Sequence, residues 1–164
     1  MYCLLSLGLK KFPFRIMKKI VLVFIAIFGL ITSCEDDDFC NKPTTPRMIL
    51  VFYDNESPEE KKSLPLSVWA ENKDSIYKDI VTDSILIPLN TKSTSTKYIL
   101  SSTNVLDTLD LNYTTLDIFT SEACGFINHF FDFGGESTTN WIKRVEFNVI
   151  KIKDETETHV AIYH

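Results

Sequence analysis

Apolar residues recur at every second position through much of this chain, and nowhere after residue 34 does a helical spacing of 3.6 hold for two turns. The cleanest instance is Leu109, Leu111 and Tyr113, which alternate with Asp110, Asn112 and Thr114. Successive strand side chains point to opposite faces, so this pattern describes a strand with one buried and one wet face. Leu66, Val68 and Ala70 repeat it, as do Ile85, Ile87 and Leu89, then Thr96, Tyr98 and Leu100, then Val145, Phe147 and Val149. Pro88 cannot donate to a ladder, which puts that strand at an edge or near its end. Residues 48–53 (MILVFY) are apolar on both faces and fit a covered strand between neighbours. Residues 124–133 (CGFINHFFDF) read as an aromatic-rich strand that ends in a turn at Gly134 and Gly135, and residues 159–163 close the chain as a last strand. Residues 71–78 read as a polar connection. Seven to eight short strands with polar turns give an all-β fold, an antiparallel β-sandwich of immunoglobulin-like type, with a small barrel as the alternative.

The stretch before this pattern is of another kind. Residues 17–38 read MKKIVLVFIAIFGLITSCEDDD. Lys18 and Lys19 precede an apolar run broken only by Gly29, then the small residues Thr32 and Ser33, then Cys34. That is the order of a secretory signal, which is expected to form an N-terminal helix. Its apolar run of about a dozen residues is short of the ~20 that span a bilayer. Ile31-Thr32-Ser33-Cys34 resembles the lipobox of bacterial lipoproteins, which implies that Cys34 becomes the lipid-bearing first residue of the mature chain. Stable anchoring takes more than one acyl chain, and a diacylglyceryl thioether supplies two. Glu35, Asp36, Asp37 and Asp38 resemble the acidic signal that sends Bacteroidota lipoproteins to the outer face of the outer membrane; a solvated acidic tether is the plainer reading. Because Met17 begins a complete signal, residues 1–16 are an upstream extension. The expected divisions are therefore extension and signal peptide over 1–33, a lipidated tether over 34–39, and the β-sandwich over 40–164.

Charge excludes one class of partner. All 22 acidic residues follow Cys34, whereas five of the 17 basic ones (Lys10, Lys11, Arg15, Lys18, Lys19) precede it, so the mature chain carries a net charge of −10. Nucleic-acid binding rests on phosphate neutralisation by Lys and Arg, so no nucleic-acid partner is expected. The expected contacts are the membrane, through the lipid, and another envelope protein or a glycan. Besides Cys3 and Cys34 the cysteines are Cys40 and Cys124. In an oxidising envelope such a pair forms a disulfide; two buried thiols are the alternative. With no CxxC and no clustered histidines, a metal site is not expected.

Six stretches taken together resemble one family: residues 40–54 (CNKPTTPRMILVFYD), 85–91 (ILIPLNT), 107–113 (DTLDLNY), 121–126 (SEACGF), 140–146 (NWIKRVE) and 158–164 (THVAIYH). The chain is similar along nearly its whole mature length to Bacteroidota lipoproteins of domain of unknown function 6452. The resemblance implies envelope location and fold, and supports pairing of Cys40 with Cys124. It implies no activity, cofactor or catalytic residue.

Candidate chemistry is sparse. His129, His159 and His164 are the only histidines. Cys124 and His129 differ by an odd number and would face opposite sides of a strand, and there is no GxSxG elbow or HExxH helix. His159 and His164 read as partly exposed residues of the last strand. No enzymatic activity is expected of what reads as a binding or accessory module; an envelope enzyme or a small-ligand carrier with an unrecognised site is the alternative. Asp107, Asp110 and Asp117 lack the spacing of a calcium loop. Of the aromatic residues, Tyr113, Phe126, Phe130, Phe131, Phe133 and Trp141 read chiefly as core, while Trp69 should point away from it. Ser75, Ser84 and Thr108 each sit in an Asp-Ser/Thr-aliphatic triplet, a pattern resembling O-glycosylation acceptors of Bacteroidota envelopes.

Overall fold

The computed structural model describes Cys40 and residues 44–164. The signal, Cys34 and the acidic residues Glu35, Asp36, Asp37 and Asp38 lie outside the described residues. Within the compact unit Cys40–His164 ten strands form two sheets, and the structure is all-β.

The strands are β1 (Met48–Tyr53), β2 (Leu64–Ala70), β3 (Ser75–Thr82), β4 (Ser84–Ile87), β5 (Ser95–Ser102), β6 (Val105–Ser121), β7 (Gly125–Ser137), β8 (Arg144–Phe147), β9 (Lys151–Ile152) and β10 (Val160–Tyr163). One sheet has the order β4-β1-β10-β8 and the other β3-β2-β5-β6-β7-β9. Pairing is antiparallel except between β1 and β10, which run parallel from Leu50↔Val160 to Tyr53↔Tyr163. All four residues of β10 are buried, because it lies between β1 and β8 and under the other sheet. A buried strand needs no alternation, which is why VAIY is a continuous apolar run.

The two sheets share one core. Met48, Leu50 and Phe52 of β1 and Ile85 and Ile87 of β4 meet Leu66, Val68, Leu100, Leu109 and Leu111 of the six-stranded sheet. These are the alternating residues of the sequence pattern, so the buried face of each strand follows from the period of two. Trp69 is half-buried and does not join this cluster.

Ten strands stand where seven to eight were expected, for three reasons. β3 has an exposed-to-intermediate pattern throughout and lies at the sheet edge, so its sequence reads as polar connection. β3 and β4 are nearly one run that changes sheets at Asp83, whose carbonyl accepts from the Phe52 N–H at 2.8 Å. β9 is two residues long and pairs only with Phe130 and Phe131. The turn expected at Gly134 and Gly135 is also corrected: β7 runs straight through both, pairing Gly134 with Asn112 and Gly135 with Leu111. A Cβ on Gly135 would lie 2.1 Å from the Asp110 carbonyl oxygen. The glycine marks a close approach of two backbones, not a turn.

Candidate functional site

β6 is 17 residues long and β7 is 13, and their hairpin outruns the neighbouring strands. On one side β5 pairs with β6 only as far as Ser95↔Asn112. On the other, β9 pairs with β7 at Phe130 and Phe131. Beyond those rows the hairpin continues through Leu116↔His129, Asp117↔Asn128, Ile118↔Ile127 and Phe119↔Phe126 to the turn before Gly125. In the turn the Cys124 N–H donates to Ser121 Oγ at 3.2 Å, and Gly125 takes a φ of 68° that a side chain would resist.

The tip of this hairpin is where Cys40 and Cys124 are joined, with Cα atoms 4.9 Å apart and a sequence separation of 84. Thr45 lies beside β7, its Oγ1 accepting from the Asn128 N–H at 3.0 Å, and β1 begins at Met48. The disulfide and this bond fasten the start of the domain along the projecting hairpin.

Phe126 was expected in the core and is instead 67 % exposed; Phe119 opposite it is 58 % exposed and Leu116 is 51 % exposed. The two phenyl rings meet edge to face with centroids 5.4 Å apart. Phe130, on the same face four residues nearer the body, is fully buried and packs edge-on to Tyr113 at 5.1 Å. One face of β7 thus passes from core to surface as it leaves the sandwich. The sequence carries only part of the signal for this: residues 116–120 stay strand-like, but the apolar alternation of Leu109, Leu111 and Tyr113 breaks at Thr115 and Asp117.

The other singled-out residues are scattered. Ser75, at the start of β3, is exposed, the most so of the three triplet residues. Ser84 is part-buried in β4 and donates to Asp83. Thr108 is half-buried in β6, and its N–H donates to Thr138. His129 sits on the hairpin, while His159 and His164 flank β10 in the other sheet. Among the described residues no three His, Cys, Asp or Glu gather as a metal site. Asp110 is salt-bridged to Lys97 at 3.4 Å, and Asp117 accepts from the Asn128 amide.

Two buried polar residues have structural work. Asp107 is 1 % exposed, and its two oxygens accept from Thr138 Oγ1 at 2.5 Å and from the N–H groups of Asn140, Trp141 and Ile142 at 2.8, 2.7 and 2.9 Å. Burial alone would raise its pKa; these hydrogen bonds outweigh burial and hold it below the usual carboxylate range. The carboxylate fixes the path from β7 to β8. His159, expected to be partly exposed, is fully buried. Its Nδ1 accepts from the Ile49 N–H at 2.9 Å, and the His159 backbone N–H donates to the Ile49 carbonyl at 3.1 Å. Burial lowers the imidazole pKa, with Glu157, Asp154 and Glu155 opposing. The ring is held neutral as a clamp on β1.

An open groove of about 900 Å³ lies between the β4–β5 connection and β5, lined by Ala70, Leu89, Lys97, Tyr98, Asp110 and Leu111 among others. Its tyrosine is engaged: the Tyr98 hydroxyl donates to the Pro88 carbonyl, and Tyr113 next to it donates to the Asn90 carbonyl at 2.9 Å. Burial raises both phenol pKa values, Tyr98 the more, so both stay protonated and hold the connection down.

The sequence profile of the Family of unknown function (DUF6452) matches residues 65–164. The chain belongs to this family. The DUF6452 match takes in β2 to β10 and Cys124, and leaves out β1 and Cys40. It is shorter than the resemblance suggested, since the stretch 40–54 lies outside it. The disulfide therefore ties the DUF6452 region to the segment that precedes it. No curated protein and no solved structure is similar enough to the chain to match.

Proposed function

We propose that this DUF6452 chain is a lipoprotein anchored in the outer membrane through Cys34 and displayed at the cell surface, with the β-sandwich as a non-enzymatic binding or accessory module for another envelope protein or a glycan. The observation that carries the reading is the order of residues 17–34, a positive start, a short apolar run and small residues before a cysteine. The Cys40–Cys124 disulfide supports it, since such bonds persist in oxidising compartments. The acidic residues Glu35, Asp36, Asp37 and Asp38 support display on the outer face. Asp107 and His159 have no part in this reading, because each is bound to backbone and positions a strand or connection. A small-ligand carrier is the second reading, and the groove beside Tyr98 is the observation that favours it.

Lipidation is tested by growing cells with labelled palmitate. The wild-type chain takes up label and pellets with membranes, and Cys34→Ala takes up none. Equal labelling of the variant would remove the anchor. Protease added to whole cells tests display: it digests the wild-type chain and spares one with alanine at residues 35–38.

A further inference from the structure

The overhang of the β6–β7 hairpin has apolar side chains on both faces of a two-stranded ribbon. Along a strand the faces alternate. Phe119 and Phe126, paired across the hairpin, share one face, while Leu116 and the pair Ile118–Ile127 occupy the other. A groove on a partner protein covers one face of a ribbon, whereas a lipid interface receives both.

The chain also says where this ribbon must be. Cys34 and Cys40 are six residues apart, at most about 20 Å when fully extended. Cys40 is bonded to Cys124, two residues from Phe126. Any surface that holds the lipid on Cys34 is therefore within a short tether of the two exposed phenyl rings. Cys40 sits at the tip and Thr45 at Asn128, nearer the body, so the tip is the end at which the anchored chain meets the domain.

We propose that the tip of the β6–β7 hairpin, Phe119 and Phe126 foremost, is a membrane-contact element seated among the headgroups of the lipid surface that carries Cys34. The inference rests on the lipidation of Cys34 proposed above. Charge selects the lipid. Asp117 and Glu122 on the hairpin and Glu35 to Asp38 on the tether are all acidic, so an anionic surface repels this end and an electrically neutral, zwitterionic one accepts it. Glu122 in the turn is exposed, and an ionised carboxylate stays in the wet zone, which holds the rings at headgroup depth. Contact here orients the sandwich, lifting the opposite end of the six-stranded sheet away from the membrane. That end carries Val81, paired with Pro65 and 74 % exposed. From the row of Leu106 to that of Phe119 is about 40 Å of strand at ~3.3 Å per residue.

The test uses the full lipidated protein in phosphatidylcholine vesicles, with and without bromine on the acyl chains near the glycerol. Phe119→Trp, Phe126→Trp and the distant control Val81→Trp each add one indole to the background of Trp69 and Trp141, which is subtracted with wild-type protein. The added fluorescence of the first two is expected to be lost in brominated vesicles and that of the control retained. Flotation of each sample with its vesicles reads the anchor separately. Protein that does not float removes the anchor reading. Protein that floats without selective quenching at 119 or 126 overturns the membrane-contact inference and leaves the anchor standing. A blue shift at 126 that grows with protein density, without quenching, also overturns it, since a second copy then covers the rings.

Discussion

Asp107 and His159 show how much one buried polar residue can decide. The parity of Leu109, Leu111 and Tyr113 already puts Asp107 on their face, whereas His159 follows a charged turn and gives no such sign. What satisfies a buried polar residue becomes legible only when its partners are known, and those lie 31 to 35 residues away for Asp107 and 110 for His159. Asp107→Ala leaves three backbone N–H groups and a hydroxyl without their acceptor in or near the core. Each orphaned buried donor costs about 1–3 kcal/mol, partly relieved by water, so a loss of about 3 kcal/mol or more in denaturant unfolding is expected. A loss near zero would mean the 138–143 connection finds its path without the carboxylate. His159 gives a pH dependence. Its folded pKa lies below the unfolded value, so the unfolded chain binds the proton more readily. Its contribution is complete above about pH 6.5, the unfolded value, and is lost as pH falls toward the depressed folded value. His159→Asn retains an acceptor for Ile49 and does not titrate. Unfolding followed from neutral to mildly acidic pH should show a decline in the wild type that the variant lacks; parallel curves would assign the decline to other groups.

At the scale of the element, period two located most strands and missed what departs from it. β2, β4, β5 and the first half of β6 were legible because each has one dry and one wet face. β3 was not, since an edge strand with little burial on either face has no contrast to read. β10 was legible only as an apolar run. The overhang of β6 was half-visible: Leu116 to Thr120 keeps strand-like residues, but nothing in a local pattern says that the neighbours stop at Asn112. Gly134 and Gly135 misled because a glycine pair is the commonest turn signal, whereas here the requirement is room. Gly135 passes against the Asp110 carbonyl, and both groups are backbone, which cannot swing aside. Gly135→Ala must separate β6 from β7 locally, at a cost of about 1–3 kcal/mol by analogy with overpacked cores. Gly134, whose Cβ would meet nothing within 4 Å, is the internal control. Thermal or denaturant melts should show Gly135→Ala well below Gly134→Ala; equal melting would refute the close-approach account.

For the whole molecule the question is what holds a chain end onto its body. β1 lies inside the four-stranded sheet; among the described residues before it, Cys40, Thr45 and Arg47 are bonded to the body and Pro46 is buried. Arg47 reaches Glu155 through paired hydrogen bonds of 3.0 and 2.9 Å, an exposed bridge of the kind that contributes little. The disulfide is different, because it acts on the unfolded chain as well. Closing a loop of 84 residues removes roughly 4 kcal/mol of denatured-state entropy on the chain-entropy account. Reduction should therefore lower the unfolding free energy of the domain by about 3–4 kcal/mol, seen as a lower denaturant midpoint. The fold should survive, since the shared core draws on both sheets and contains neither cysteine. Local effects should be uneven. Hydrogen exchange at Asn128 and its hairpin neighbours should quicken on reduction more than that of β10, which has strands on both sides. An unchanged midpoint, or two thiols that titrate in unreduced, denatured protein, would show that the lead-in segment is held by something other than this bond.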